Sequence, residues 1–140
     1  MKSRKGFTLI ELMVVILIVA ILAAVMIPIL RGRIDAAKWA EGKSMMGSIA
    51  TSIRAWAAEK GPDYTGAMPA SLAELGFSAG DFDGTYFGDA DFAGCFSGIV
   101  IGPPTQFTIT VTPSARSTAP TTPASYTLSC DASGISTWSP

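Results

Sequence analysis

From Leu12 to Leu30 the chain runs nineteen residues without a charge. At ~1.5 Å rise per residue a helix of that length reaches ~28 Å, close to the ~30 Å of a bilayer's hydrocarbon core. The run therefore predicts a transmembrane helix near the N-terminus. A secretory signal peptide is the competing reading, because Lys2, Arg4 and Lys5 form a basic leading region. Against it, the apolar run is longer than such peptides usually carry, and no Ala-x-Ala cleavage site closes it. One residue conflicts with a lipid-facing segment. Glu11 stands directly before the run, and a charge inside a membrane helix costs roughly 2.5–3.5 kcal/mol on insertion scales. It calls for a partner.

The remainder of the 140-residue chain is far more polar, although 49% of all residues are hydrophobic. The net charge is −1, and without residues 1–6 seven basic residues face eleven acidic ones. That balance offers no basic field for nucleic acid, and no direct nucleic-acid binding is expected. Histidine is absent, which removes the commonest general base and metal ligand together. No phosphate-cradling glycine loop and no opposed carboxylate pair can be identified. The chain reads as a non-enzyme with no catalytic residues and no cofactor.

The stretch KGFTLIELMVVILIVAILAAVMIP, residues 5–28, resembles the N-terminus of the type IV pilin and pseudopilin superfamily. The resemblance implies a leader of residues 1–6, cut by a prepilin peptidase between Gly6 and Phe7, with methylation of the new Phe7 amine. It implies that Glu11 is the fifth residue of the mature chain and pairs with the Phe7 amine of a neighbouring subunit in a filament. Pairing would offset the desolvation of both charges and fix axial register. Snorkelling of Glu11 to the interface, or its protonation, are the alternatives. Pro28 falls where many pilins carry a helix-loosening proline, and a kink is expected there.

After Leu30 the pattern stays helical but becomes one-sided. Ile34, Ala37, Met45, Met46, Ile49, Ile53 and Trp56 approximate a 3–4 spacing, and Gly61-Pro62 ends the run. One helix is expected from about Phe7 to Lys60, with residues 7–30 as the transmembrane or filament-core part. Gly42 and Gly47 read either as flexible points or as sites of close packing. The globular head, residues 31–140, would hold this amphipathic helix, a loop over 61–94 and a sheet over 95–140.

Within the loop, Ser71 and Glu74 have capping-box spacing with Gly76 as a stop, and GTYF, residues 84–87, reads as a short strand. Asp81, Asp83, Asp89 and Asp91 cluster as solvated turn residues. Calcium is the alternative, though the order of an EF-hand is missing. Four segments are β-like: CFSGIVI, QFTITVT, SYTLSC and GISTW. The fold class is α+β, a long N-terminal helix packed on a small antiparallel sheet. Between the second and third segments, Pro113 to Ala124 is rich in Pro, Ser and Thr, and is expected to project as a variable or glycosylated surface. Cys95 and Cys130 are either a structural disulfide or two buried thiols. The resemblance implies the disulfide, worth roughly 3–4 kcal/mol in the chain-entropy account.

Basic residues flank the apolar run on both sides, so charge alone does not orient it. A distal cysteine pair suits an oxidising compartment, and with the leader it favours a single pass, N-terminus in and C-terminus out, in a bacterial inner membrane. The expected function is a structural subunit of a type IV pilus-like, homo-oligomeric filament, with the membrane and the assembly machinery as partners. The alternatives are a pseudopilin of a type II secretion system, forming a periplasmic pseudopilus, and a membrane-anchored binding domain.

Overall fold

Fifty-two consecutive residues, Leu9–Lys60, form helix α1 in the computed structural model, which describes residues 6–140. The first five residues of the leader lie outside the described part. The helix is continuous through Pro28. It stops where the sequence dictates: Lys60 sits in the last turn, and Gly61 takes φ +80° while its N–H donates to the Ala57 carbonyl at 3.0 Å. The chain divides at Ile34/Asp35 into two compact units.

In the N-terminal unit every described side chain is exposed, Phe7 at 83% and Leu17 at 60% among them. The 18-residue window of highest hydropathy in α1 has a mean of 3.2. A helix apolar on all sides with nothing covering it is built for a medium other than water.

The second unit holds the end of α1, two short helical turns and a sheet. Strands β1 (Phe96–Val100), β2 (Gln106–Val111), β3 (Tyr126–Cys130) and β4 (Ser136–Ser139) pair antiparallel in chain order, a meander. All four predicted β segments are present. A bulge interrupts β1 between Ser97 and Val100, where Gly98 adopts φ +63°. Strand β2 alternates as its sequence does, with Phe107, Ile109 and Val111 buried. These meet Met46, Ile49, Ala50 and Ile53 of α1, with Leu128 and Cys130 beside them. Trp39 sits between Phe87, tilted at 57°, and Tyr126, edge-on at 62°, with ring centroids 5.1 and 5.0 Å away. Lys43 lies with its ammonium 3.9 Å above the Tyr126 ring, and the Arg54 guanidinium lies 5.0 Å from that of Phe107. Their stems cover apolar surface while their charges reach water.

The buried stripe of α1 is Asp35, Trp39, Gly42, Met46, Ile49, Ala50, Ile53 and Ala57. It is rotated from the expected one, since Ile34 and Ala37 are exposed and Met45 and Trp56 lie at its flanks. Two local expectations are also corrected, and one is met. Residues 84–87 form a bend, not a strand, because the Tyr86 and Phe87 N–H groups donate to Glu41 of α1 at 2.9 and 3.2 Å. The capped turn and the Gly76 stop read from the sequence are present as a four-residue 3-10 helix, Leu72–Leu75, with Ser71 before it and Gly76 after it. The box is not reciprocal: Glu74 accepts from the Ser71 hydroxyl and the Ala70 N–H. Asp89–Phe92 forms a one-turn helix, α2, where only turn aspartates were expected.

Candidate functional site

Helix α1 opens with a reciprocal cap. Thr8 donates its backbone N–H and its hydroxyl to Glu11 Oε2, at 2.8 and 2.7 Å, and its hydroxyl oxygen accepts the Glu11 N–H at 3.4 Å. The sequence Thr8-Leu9-Ile10-Glu11 is thus a capping box, which holds two of the four unpaired N–H groups that a helix start leaves. The signal was present in the T-x-x-E spacing, the same rule applied at Ser71, yet it was masked by reading Glu11 only as a membrane charge. Among the described residues no donor reaches Oε1. One carboxylate oxygen orders the helix start, and Glu11 as a whole is exposed on the apolar segment.

The four clustered aspartates are drawn apart by separate duties. Asp81 accepts the Ser78 N–H at 2.7 Å, and Asp89 accepts the N–H groups of Gly80 and Phe82. Asp83 forms an ion pair with Arg116. Asp91 is buried and accepts from Ser114, Ala115 and Gly88, so the expectation of solvated turn residues fails there. Among the described residues no three His, Cys, Asp or Glu side chains come together to hold a metal. Each carboxylate is occupied by backbone amides or by a guanidinium, so the cluster is a set of turn caps.

The expected Cys95–Cys130 disulfide is corrected. Both cysteines are free and buried. Strand β2 lies between them: the Cys95 carbonyl accepts the Thr110 N–H at 2.7 Å, and Cys130 pairs in register with Phe107. They are two strand spacings apart, about 9–10 Å, and three residues out of step along β2, about 10 Å. A disulfide needs Cα atoms within about 7 Å. Burial pushes the Cys95 thiol up to about 11, leaving it neutral and inert. The oxidising-compartment argument from these cysteines falls with the bridge.

Nor does the 113–124 segment project. Its backbone returns to the head through Asp35, Asp91 and Trp39. Sequence reasoning missed Asp35, a carboxylate standing in the buried register of α1. The Thr121 hydroxyl, 2.9 Å away, is the main cause that holds its carboxyl below the usual aspartate range, against the cost of burial.

The chain thus carries an exposed, capped apolar helix, long enough and apolar enough to cross a membrane, and a small β-meander head. Residues 1–27 match the family described as "Prokaryotic N-terminal methylation motif". The chain is 38% identical over 118 residues to a "Fimbrial protein" of Dichelobacter nodosus, covering 73% of this chain and 70% of that one. A "Fimbrial protein" of Moraxella nonliquefaciens is 45% identical over 53 residues, 38% of this chain and only about a third (34%) of its own length. No solved structure matches significantly. The chain belongs to the type IV pilin family of fimbrial proteins.

Proposed function

We propose that this protein is a structural, non-catalytic subunit of a type IV pilus-like filament built from copies of itself. It is stored as a single-pass inner-membrane protein, N-terminus in and C-terminus out, until prepilin peptidase cuts after Gly6 and the Phe7 amine is methylated. In the filament the exposed apolar residues of 7–30, most of them in α1, pack against those of neighbours, and Glu11 of one subunit meets the Phe7 amine of the next. The observation that carries this reading is the Glu11 geometry. Its Oε2 is held by Thr8, which fixes the side chain, while Oε1 is left to accept a charge-assisted hydrogen bond from another chain. Two charges buried together in an apolar core are tolerable only when paired, so mispaired registers are penalised. Pro28 lacks an N–H and so removes one rung of the helix ladder, a place where α1 can bend on leaving the membrane.

The test joins mass and assembly. Intact-mass analysis of sheared surface filaments is expected to find a chain beginning at Phe7 and carrying one extra methyl group. Glu11→Ala is expected to abolish or sharply reduce filaments while leaving the processed chain in the membrane. Processed, methylated chain confined to the envelope would favour a pseudopilus. Normal filaments from Glu11→Ala would overturn the charge pair.

A further inference from the structure

Residues 112–125, joining β2 to β3, hold no strand or helix, and only Pro120 among them is buried. None belongs to the hydrophobic core cluster of the head. Polar bonds attach the segment instead. At its start, Asp91 Oδ1 accepts the Ser114 and Ala115 N–H groups at 2.6 and 2.8 Å, while Oδ2 accepts the Gly88 N–H at 3.0 Å. At its end, Asp35 Oδ2 accepts the Thr121 N–H, the Thr121 hydroxyl and the Thr122 N–H, at 3.2, 2.9 and 3.1 Å. Between them Arg116 donates to the Phe87 carbonyl at 2.9 Å and pairs with Asp83. The Pro123 carbonyl accepts the indole N–H of Trp39 at 3.1 Å, over a ring that is 1% exposed.

Asp35 and Asp91 are the two buried charged residues of the described chain. Both hold this one segment, from two different supports, α1 and α2. Asp35 Oδ1 also lies 3.7 Å from the Lys38 ammonium, and Asp91 Oδ2 accepts the Gly88 N–H. A buried carboxylate is kept only where its hydrogen bonds are filled, and here the strap's amides fill one oxygen of each. The geometry points to a strap: residues 113–124 form a lid over Trp39, latched at its two ends by Asp91 and Asp35, that opens as a unit while the sheet stays folded. Segments with few buried apolar contacts open at lower free energy than the core they cover. Opening uncovers the Trp39 indole beside Phe87 and Tyr126, an apolar surface on the head that the closed form hides. This inference stands apart from the filament reading, because it concerns only contacts within the head.

Hydrogen exchange on the full-length chain in detergent micelles tests it. In the unaltered protein the amides of Ser114, Ala115, Thr121 and Thr122 are expected to be protected, with lower protection than Thr127 to Ser129 of β3. Because the strap opens as a unit, Asp91→Ala and Asp35→Ala are each expected to lower protection at all four strap amides, and a loss confined to the altered end would overturn the unit. The expected loss is roughly tenfold or more, the factor implied by a lost hydrogen bond to a charged group, with β3 unchanged. Equal protection of strap and sheet in the unaltered protein would overturn the strap, and that comparison needs no variant to fold. So would a uniform loss across β3 in either variant, which would make the aspartates part of the global fold.

Discussion

Gly42 and Gly47 stand five residues apart in α1 and face opposite surroundings. A Cβ built on Gly42 would lie 2.6 Å from the Phe87 ring, itself fully buried, whereas one on Gly47 meets nothing within 4 Å. The backbone at Gly42 is therefore a surface against which an aromatic ring is seated. Gly42→Ala is expected to destabilise the head, because overpacking costs about 1–3 kcal/mol and the helix propensity regained is only about 1. Gly47→Ala is expected to stabilise it by about 0.5–1 kcal/mol, since no ring pays for the extra methyl. Thermal melting of the two variants checks the pair, and a stabilising Gly42→Ala would mean that Phe87 moves aside freely. The cysteines make a second prediction at this scale. Neither should react with iodoacetamide at neutral pH in the native chain, and both should react after unfolding without reductant, giving two adducts by mass. Unfolded chain that stays unmodified until reduced would restore the disulfide and contradict the strand register. Asp35 makes a third. Its folded value is lowered, so its contribution is complete above the ordinary aspartate value, about 3.9, and is lost as pH falls through the folded value. Melting temperature in acid is expected to fall more steeply for the unaltered chain than for Asp35→Asn.

At the scale of elements, legibility followed the range of the forces involved. The four strands are readable because each is rich in β-branched and aromatic residues, with clear alternation in β2, and the turn residues between them are local. Helix α1 was readable from its apolar run and its Gly61-Pro62 stop. Its buried stripe was misplaced because only apolar residues were counted, while Asp35 and Gly42 hold two of its positions. Their burial depends on Thr121, 86 residues away, and on Phe87, 45 away. No local pattern reports that. The Pro/Ser/Thr composition of 113–124 describes what the segment cannot bury, and says nothing of two distant carboxylates that hold its amides. The cysteine error has the same origin, for pairing geometry depends on a strand order that spacing does not give. The start of α1 is legible in its T-x-x-E spacing, Thr8 to Glu11. Its capping box predicts that Thr8→Val frays residues 9–12 toward coil in micelles, costing about 0.5–2 kcal/mol, while Thr8→Ser does not. Backbone chemical shifts of those residues decide it, and helical shifts retained in Thr8→Val would show the cap to be idle.

For the whole molecule, the division at Ile34/Asp35 separates two kinds of stability. Every residue of the hydrophobic core cluster lies between Trp39 and Cys130. The head's own part of α1, Asp35 to Lys60, carries the buried stripe that meets β2 and β3. Among the described residues, those before Asp35 are all exposed and bury nothing within the chain. A helix of that character adds no folding free energy to the head in water, and its exposed apolar surface drives association there instead. A chain begun at Asp35 should therefore fold, remain monomeric without detergent, and melt within a few degrees of the head in the full-length chain. Its first turn loses the preceding helix, so slight fraying at Asp35 and a looser 121–122 contact are the expected costs. Circular dichroism and sedimentation of this shortened chain measure both properties. A molten or aggregated product would mean that the head draws stability from residues before Asp35, and that the two units fold as one.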